Sequence, residues 1–151
     1  MNDPRWLVLT WRLGSGSSTP RVTTWRSLKR MGAVLLTPGA AAVPYTEDLL
    51  EQFEWLAQRI GESGGEAWVL PVAELTDPEE ARIRARMRHA REQEYADLRF
   101  AADAVARSEP SRRQTLALEH GYRAIVGRDH FGASGRGRAR KAIDRAAARR
   151  S

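Results

Sequence analysis

Trp6-Leu7-Val8-Leu9-Thr10-Trp11, followed by Gly14-Ser15-Gly16-Ser17-Ser18 and Thr19-Pro20, sets the architecture of the chain. A bulky apolar run of this length, closed by a Gly/Ser connection, reads as a buried strand. Ser18 or Thr19 can then cap a helix whose first turn holds Pro20. Val22, Trp25, Leu28 and Met31 are expected to form its core-facing stripe, ending at Gly32.

Beyond that helix, residues 33–37 and 41–45 are two short apolar runs separated by Pro38-Gly39, which predicts a hairpin or a bent strand pair. Thr46 opens a second helix, in which Leu49, Phe53, Leu56 and Ile60 repeat at helical spacing, and Gly61 or Gly64-Gly65 closes it. Residues 67–72 supply another strand. The order β-α-β-β-α-β over 5–75 predicts an α+β fold, a ferredoxin-like sandwich with two helices on one face of an antiparallel sheet. The five tryptophans, at 6, 11, 25, 55 and 68, all fall in this half. They exceed what one small core needs, and so point to a covered sheet face or a dimer interface.

Thr76-Asp77-Pro78-Glu79 fits a capping box for a helix running to Ser108, about 45 Å at 1.5 Å per residue. Its stripe of Ile83, Met87, Ala90, Leu98 and Val105 is thin and suits packing against other helices. Glu109-Pro110 breaks it. A further helix over 111–126 carries Leu116, Leu118, Tyr122 and Ile125, then 127–135 form a loop and the Arg/Ala tail is helical by propensity. The expected organisation is a ferredoxin-like domain over 1–75, a helical region over 76–133 packed on it or across a dimer, and a basic tail over 134–151.

Without cysteine there is no thiol chemistry, disulfide or thiolate metal site. The start lacks a signal-peptide pattern, and no apolar run nears the roughly 18 residues of a membrane span, so a cytoplasmic protein without membrane contact is expected. The net charge is +6. Residues 1–75 hold 7 Arg/Lys against 8 Asp/Glu, and 76–151 hold 18 against 11. From Ser134 the balance is Arg136, Arg138, Arg140, Lys141, Arg145, Arg149 and Arg150 against Asp144 alone. A tail of this kind attracts polyanions, although arginine bias also arises from a GC-rich genome.

His89, His120 and His130 are scattered, with no pair at the spacing of a helical metal site, and neither metal nor other cofactor is expected. Gly14 to Ser18, between strand and helix, has the placement of an anion cradle but lacks the rest of a dinucleotide or P-loop pattern; a plain connection accounts for it. Arg26, Lys29 and Arg30, with Arg21 one turn earlier, form a compact cationic cluster on an otherwise near-neutral half. A solvated helix face is its ordinary explanation, and grip on a phosphate backbone or oxyanion the functional one. Arg82, Arg84, Arg86, Arg88 and Arg91 spread around the long helix, where pairing with Glu80 and similar neighbours is expected. A ligand pocket built from Trp6, Trp11, Trp25, Tyr45 and Trp68 is a further candidate.

Ser17-Ser18, Arg21-Val22, Trp25-Arg26, Leu28-Lys29 and Gly32-Ala33, then Leu36, Pro44 and Gly64-Gly65-Glu66-Ala67, resemble the N-terminal region of the ChrB family of chromate-resistance regulators. Tyr95 and Asp129-His130-Phe131-Gly132 continue the likeness. The strand and helix pattern is also similar to the middle domain of the PaaX family of phenylacetate repressors, and both are similar to the small ferredoxin-like nucleases of CRISPR adaptation. Those nucleases carry an acidic residue at the end of the first strand. Thr10-Trp11-Arg12 stands there in this chain and offers no carboxylate for magnesium, so no catalytic residue is assigned. ChrB-like proteins usually carry a further C-terminal domain expected to help sense chromate, and PaaX-like ones a winged helix ahead of this region.

The resemblance implies transcriptional regulation linked to chromate resistance, with a homodimer placing Arg21, Arg26, Lys29, Arg30, Arg136, Arg138, Arg140 and Lys141 on duplex DNA. The alternative is a protein that binds chromate, another small oxyanion or a metabolite, as a pathway accessory or small enzyme, in a pocket between sheet and C-terminal helices. A third reading is a pure dimerisation module.

Overall fold

The computed structural model describes residues 3–16 and 18–150. Ser17, which the sequence reading placed in the Gly/Ser connection and the family pattern, lies outside them. The chain divides into two compact units, 1–83 and 84–151. The first contains β1 (Trp6–Arg12), α1 (Thr19–Met31), β2 (Val34–Thr37), β3 (Ala40–Pro44), α2 (Glu47–Glu62) and β4 (Glu66–Val72). The long helix α3 (Asp77–Arg107) starts in the first unit and continues into the second, which adds α4 (Arg112–Gly127) and α5 (Arg136–Ala148).

The strands form one sheet in the order β2-β3-β1-β4, each neighbouring pair antiparallel. β1 is central because its alternation is apolar on both faces. Leu7 and Leu9 point to the helical layer and pack with Ala41, Val43, Leu28, Met31, Leu49, Phe53, Leu56 and Ile60. On the opposite face Trp6 is almost fully buried, whereas Trp68 and Leu70 on the edge strand β4 are exposed.

α2 follows its sequence signals closely. The Thr46 hydroxyl accepts the Leu49 N–H at 3.0 Å, and Glu47 and Asp48 occupy the positive end of the helix. α1 departs from its expected stripe: the buried face is Thr24, Ser27, Leu28 and Met31, while Val22 and Trp25 are exposed. The reason is geometric. Each three-residue step falls about 60° short of a full turn, so Val22, Trp25, Leu28 and Met31 wind halfway round the helix. Ser18 holds the N-cap position without a side-chain cap bond, and Gly32, at φ 73°, closes the helix with its N–H on the Lys29 carbonyl.

In the second unit alanines and a tyrosine share the buried positions with a few larger aliphatic side chains. Ala142, Ile143 and Ala146 of α5 pack with Ala102 of α3 and Leu118 of α4, and Tyr95 packs with Ile125, Ala133 and Ala139. Ser111 and Gln114 form a reciprocal capping box at the start of α4. Of the apolar residues expected on that helix, Leu118 and Ile125 are buried and Tyr122 half-buried, but Leu116 is exposed. Among the described residues no helix is long and apolar enough to cross a membrane.

Candidate functional site

α1 carries four of the residues singled out from the sequence. All four cations, Arg21, Arg26, Lys29 and Arg30, are exposed, and no carboxylate of a described residue lies within ion-pair distance of any of them. Lys29 Nζ lies 5.7 Å from the centre of the Trp25 ring, and Arg30 donates to the Ser27 hydroxyl at 3.3 Å. Helical rotation separates them: Arg26 and Lys29 point to solvent, while Arg21 and Arg30 sit on opposite flanks.

Each flank borders a hollow. Arg30 lines a cleft of about 400 Å3 between α1 and α2 together with Arg59, Trp55, Asp48 and Glu51, so the cations there face carboxylates. Arg21 borders a larger cavity of about 630 Å3, walled by Trp11, Leu13, Trp25, Leu28 and Leu35. Of the five aromatic residues proposed as a pocket, Trp11 and Trp25 share this cavity, and Trp6, Tyr45 and Trp68 do not line it. The connection at 14–18, weighed from the sequence as an anion cradle and read as a plain connection, is followed by Pro20 in the first helical turn, which removes one N–H donor.

The C-terminal cations divide into two sets across α5. Arg140 forms a paired hydrogen bond to Glu119 at 2.5 and 2.9 Å, bonds Asp144 as well, and lies 4.8 Å above the Tyr122 ring. These hydrogen bonds hold the Arg140 guanidinium above its ordinary value and the Glu119 carboxyl below its own, the Arg140 bond being the main cause for Glu119. Arg136 donates to the Tyr122 hydroxyl at 3.2 Å. On the other edge, Arg138, Lys141, Arg145 and Arg149 follow at steps of three and four and are exposed. Arg145 approaches Asp103 at 3.5 Å; the other three meet no carboxylate among the described residues.

The second unit also contains an assembly that charge counting does not reveal. Along α3, Arg84, Arg88, Arg91 and Tyr95 form one stripe facing the connection between α4 and α5. Arg84 stacks 4.3 Å from the Phe131 ring, Arg88 donates to the Phe131 carbonyl, and Arg91 donates to the Arg128 carbonyl. Glu94 lies between Arg91 and Arg128 and pairs with both. Tyr95, fully buried, donates to Asp129 at 3.0 Å, and the same carboxylate accepts the Ala133 N–H. Burial and the bonded carboxylate push the Tyr95 hydroxyl far above the usual tyrosine range, so it stays protonated and donates. These groups are committed to one another and latch a turn. Their partners lie 34 to 43 residues apart in the chain, beyond any local sequence signal.

Among the described residues no group of three or more His, Cys, Asp or Glu side chains could hold a metal ion. Residues 21–109, more than half of the chain, match the family model described as Protein ChrB, N-terminal. The chain belongs to the ChrB N-terminal family. Protein ChrB of Cupriavidus metallidurans is 32% identical over 123 residues, covering 79% of this chain and 37% of that protein. The chain therefore spans well under half the length of this ChrB relative. No solved structure matches it. The ChrB N-terminal match opens at Arg21 and takes in the cationic face of α1 and most of the cavity wall, whereas the Asp129 turn and α5 lie past residue 109.

Proposed function

We propose that this ChrB-family chain is a nucleic-acid-associated regulatory protein linked to chromate resistance, acting as a homodimer and gripping duplex DNA through phosphates. The observation that carries this reading is a set of exposed cations without carboxylate partners among the described residues: Arg26 and Lys29 on α1, and Arg138, Lys141 and Arg149 on α5. An exposed cation left unpaired is free to replace counterions on a phosphate backbone. The first unit is read as ferredoxin-like, which the β-α-β-β-α-β element order and the sheet order β2-β3-β1-β4 support. Exposed Trp68 and Leu70, two residues apart on β4, favour the dimer.

The test is a salt titration of duplex DNA binding by fluorescence anisotropy. Each phosphate contact contributes a slope of about −0.9 in log K against log salt, so the five cations named predict a slope near −4.5 per protomer. Replacing Lys29 and Lys141 by Gln together lowers its magnitude by about 1.8 per protomer on the same rule. Salt-independent binding, or none at low salt, sinks the proposal.

A further inference from the structure

The cavity beside α1 has a chemistry of its own, separate from a grip on phosphates. Its volume of about 630 Å3 lies within the roughly 300–1,000 Å3 typical of small-molecule sites. Two indole rings, Trp11 and Trp25, and the aliphatic Leu28 and Leu35 form its walls. Arg21 is the one charged residue on its lining, and no carboxylate of a described residue pairs with it. Thr24 also borders the cavity. The residue is only 4% exposed. Its hydroxyl can both donate and accept a hydrogen bond.

We infer that this cavity is a binding site for a flat, apolar monoanion of the arylcarboxylate type. The ring packs between the tryptophan and leucine walls, the carboxylate meets the Arg21 guanidinium, and the Thr24 hydroxyl bonds one carboxylate oxygen. Aromatic faces and aliphatic walls reward a planar hydrophobic body. A single guanidinium matches one negative charge in two hydrogen bonds. A small tetrahedral dianion such as sulfate or chromate suits the site poorly on both counts: it leaves the apolar walls uncovered and brings two charges to a single guanidinium. The cleft at Arg30 is excluded for the same ligand because Asp48 and Glu51 stand on its lining.

The full chain is titrated with benzoate and 2-naphthoate, by calorimetry and by tryptophan fluorescence, with 2-naphthamide and sodium sulfate as comparisons at constant ionic strength. At least one of the two carboxylates is expected to bind saturably and quench tryptophan emission, and sulfate is expected not to displace it. Arg21→Gln weakens it about tenfold, the size of a lost charge-assisted hydrogen bond, and the neutral amide binds wild type about as weakly. Trp25→Ala weakens it too, whereas Arg26→Gln, at an exposed position off the cavity, leaves it unchanged. All three positions are exposed, so the variants retain the fold, which circular dichroism verifies. Absence of saturable binding by either carboxylate, equal affinity in Arg21→Gln, or displacement by sulfate overturns the inference. None of these outcomes depends on DNA binding.

Discussion

Replacing Tyr95 by Phe removes one oxygen from a fully buried ring and leaves the packing with Ile125, Ala133 and Ala139 intact. What is lost is the 3.0 Å bond to the Asp129 carboxylate. A hydrogen bond to a charged acceptor contributes about 1.5–3 kcal/mol. Asp129 keeps the Ala133 N–H in the variant, so the cost should lie toward the lower part of that range, about 2 kcal/mol. At an m-value near 2 kcal/mol/M, urea unfolding followed by far-UV circular dichroism should show a midpoint about 1 M lower, with m unchanged. Asp129→Ala strips both Tyr95 and Ala133 of their acceptor and should cost about 3 kcal/mol. The double variant should fall short of the sum by about 1–2 kcal/mol, because both single changes break the same bond. The hydroxyl's value is raised in the folded protein, so this stability is fully present below the ordinary tyrosine value of 10 and is lost only as pH climbs through the folded value. A Tyr95→Phe midpoint within about 0.2 M of wild type, or additive double-variant energies, would refute the account of the latch.

Glu119 has a folded value lowered by Arg140, so its contribution is present above the ordinary carboxylate value of 4.5 and disappears as pH falls through the folded value. Glu119→Gln should therefore be less stable than wild type at pH 7, with the two melting curves converging as pH falls below the ordinary carboxylate value of 4.5, a comparison made by thermal melts across pH. At Gly65 an added Cβ would sit 2.5 Å from the Arg12 carbonyl oxygen and 2.9 Å from Ile60. Gly65→Ala should cost about 1–3 kcal/mol by urea unfolding, and a neutral result would mean that the α2–β4 connection adjusts freely. Phe53→Ala, at the fully buried centre of the first unit, should cost about 3–5 kcal/mol in the same assay. Trp68→Ser should leave the melting temperature nearly unchanged and shift sedimentation toward monomer; an unaltered oligomeric state would remove β4 from the dimer contact.

Local patterns carried much of the fold. The strand run at Trp6, the Thr46 cap and the Leu49-Phe53-Leu56-Ile60 repeat are written in neighbouring residues, and each element formed close to where those patterns place it. The family likeness was legible for the same reason, since it rests on short motifs. The cationic cluster at Arg21, Arg26, Lys29 and Arg30 was visible as well, but the geometry of the apolar residues beside it was not: Val22, Trp25, Leu28 and Met31, at three-residue steps, look like one face and turn halfway round the helix. That rotation exposed Trp25, which sequence patterning had assigned to the core, and made it the wall of a cavity with Trp11.

Charge counting located the basic tail and could not say which of its arginines were already spent. Arg140 and Arg136 are neutralised or hydrogen-bonded by Glu119 and Tyr122, residues of another helix, whereas Arg138, Lys141 and Arg149 meet no carboxylate among the described residues. The same holds for Tyr95 with Asp129 and for Glu94 with Arg128, which meet only when α3 and the turn after α4 are brought together. Periodicity, caps and composition act over a few residues and can be read along the chain. Which cation finds a carboxylate, and which wall closes a cavity, depends on distances across the fold, and those exist only once packing has set them.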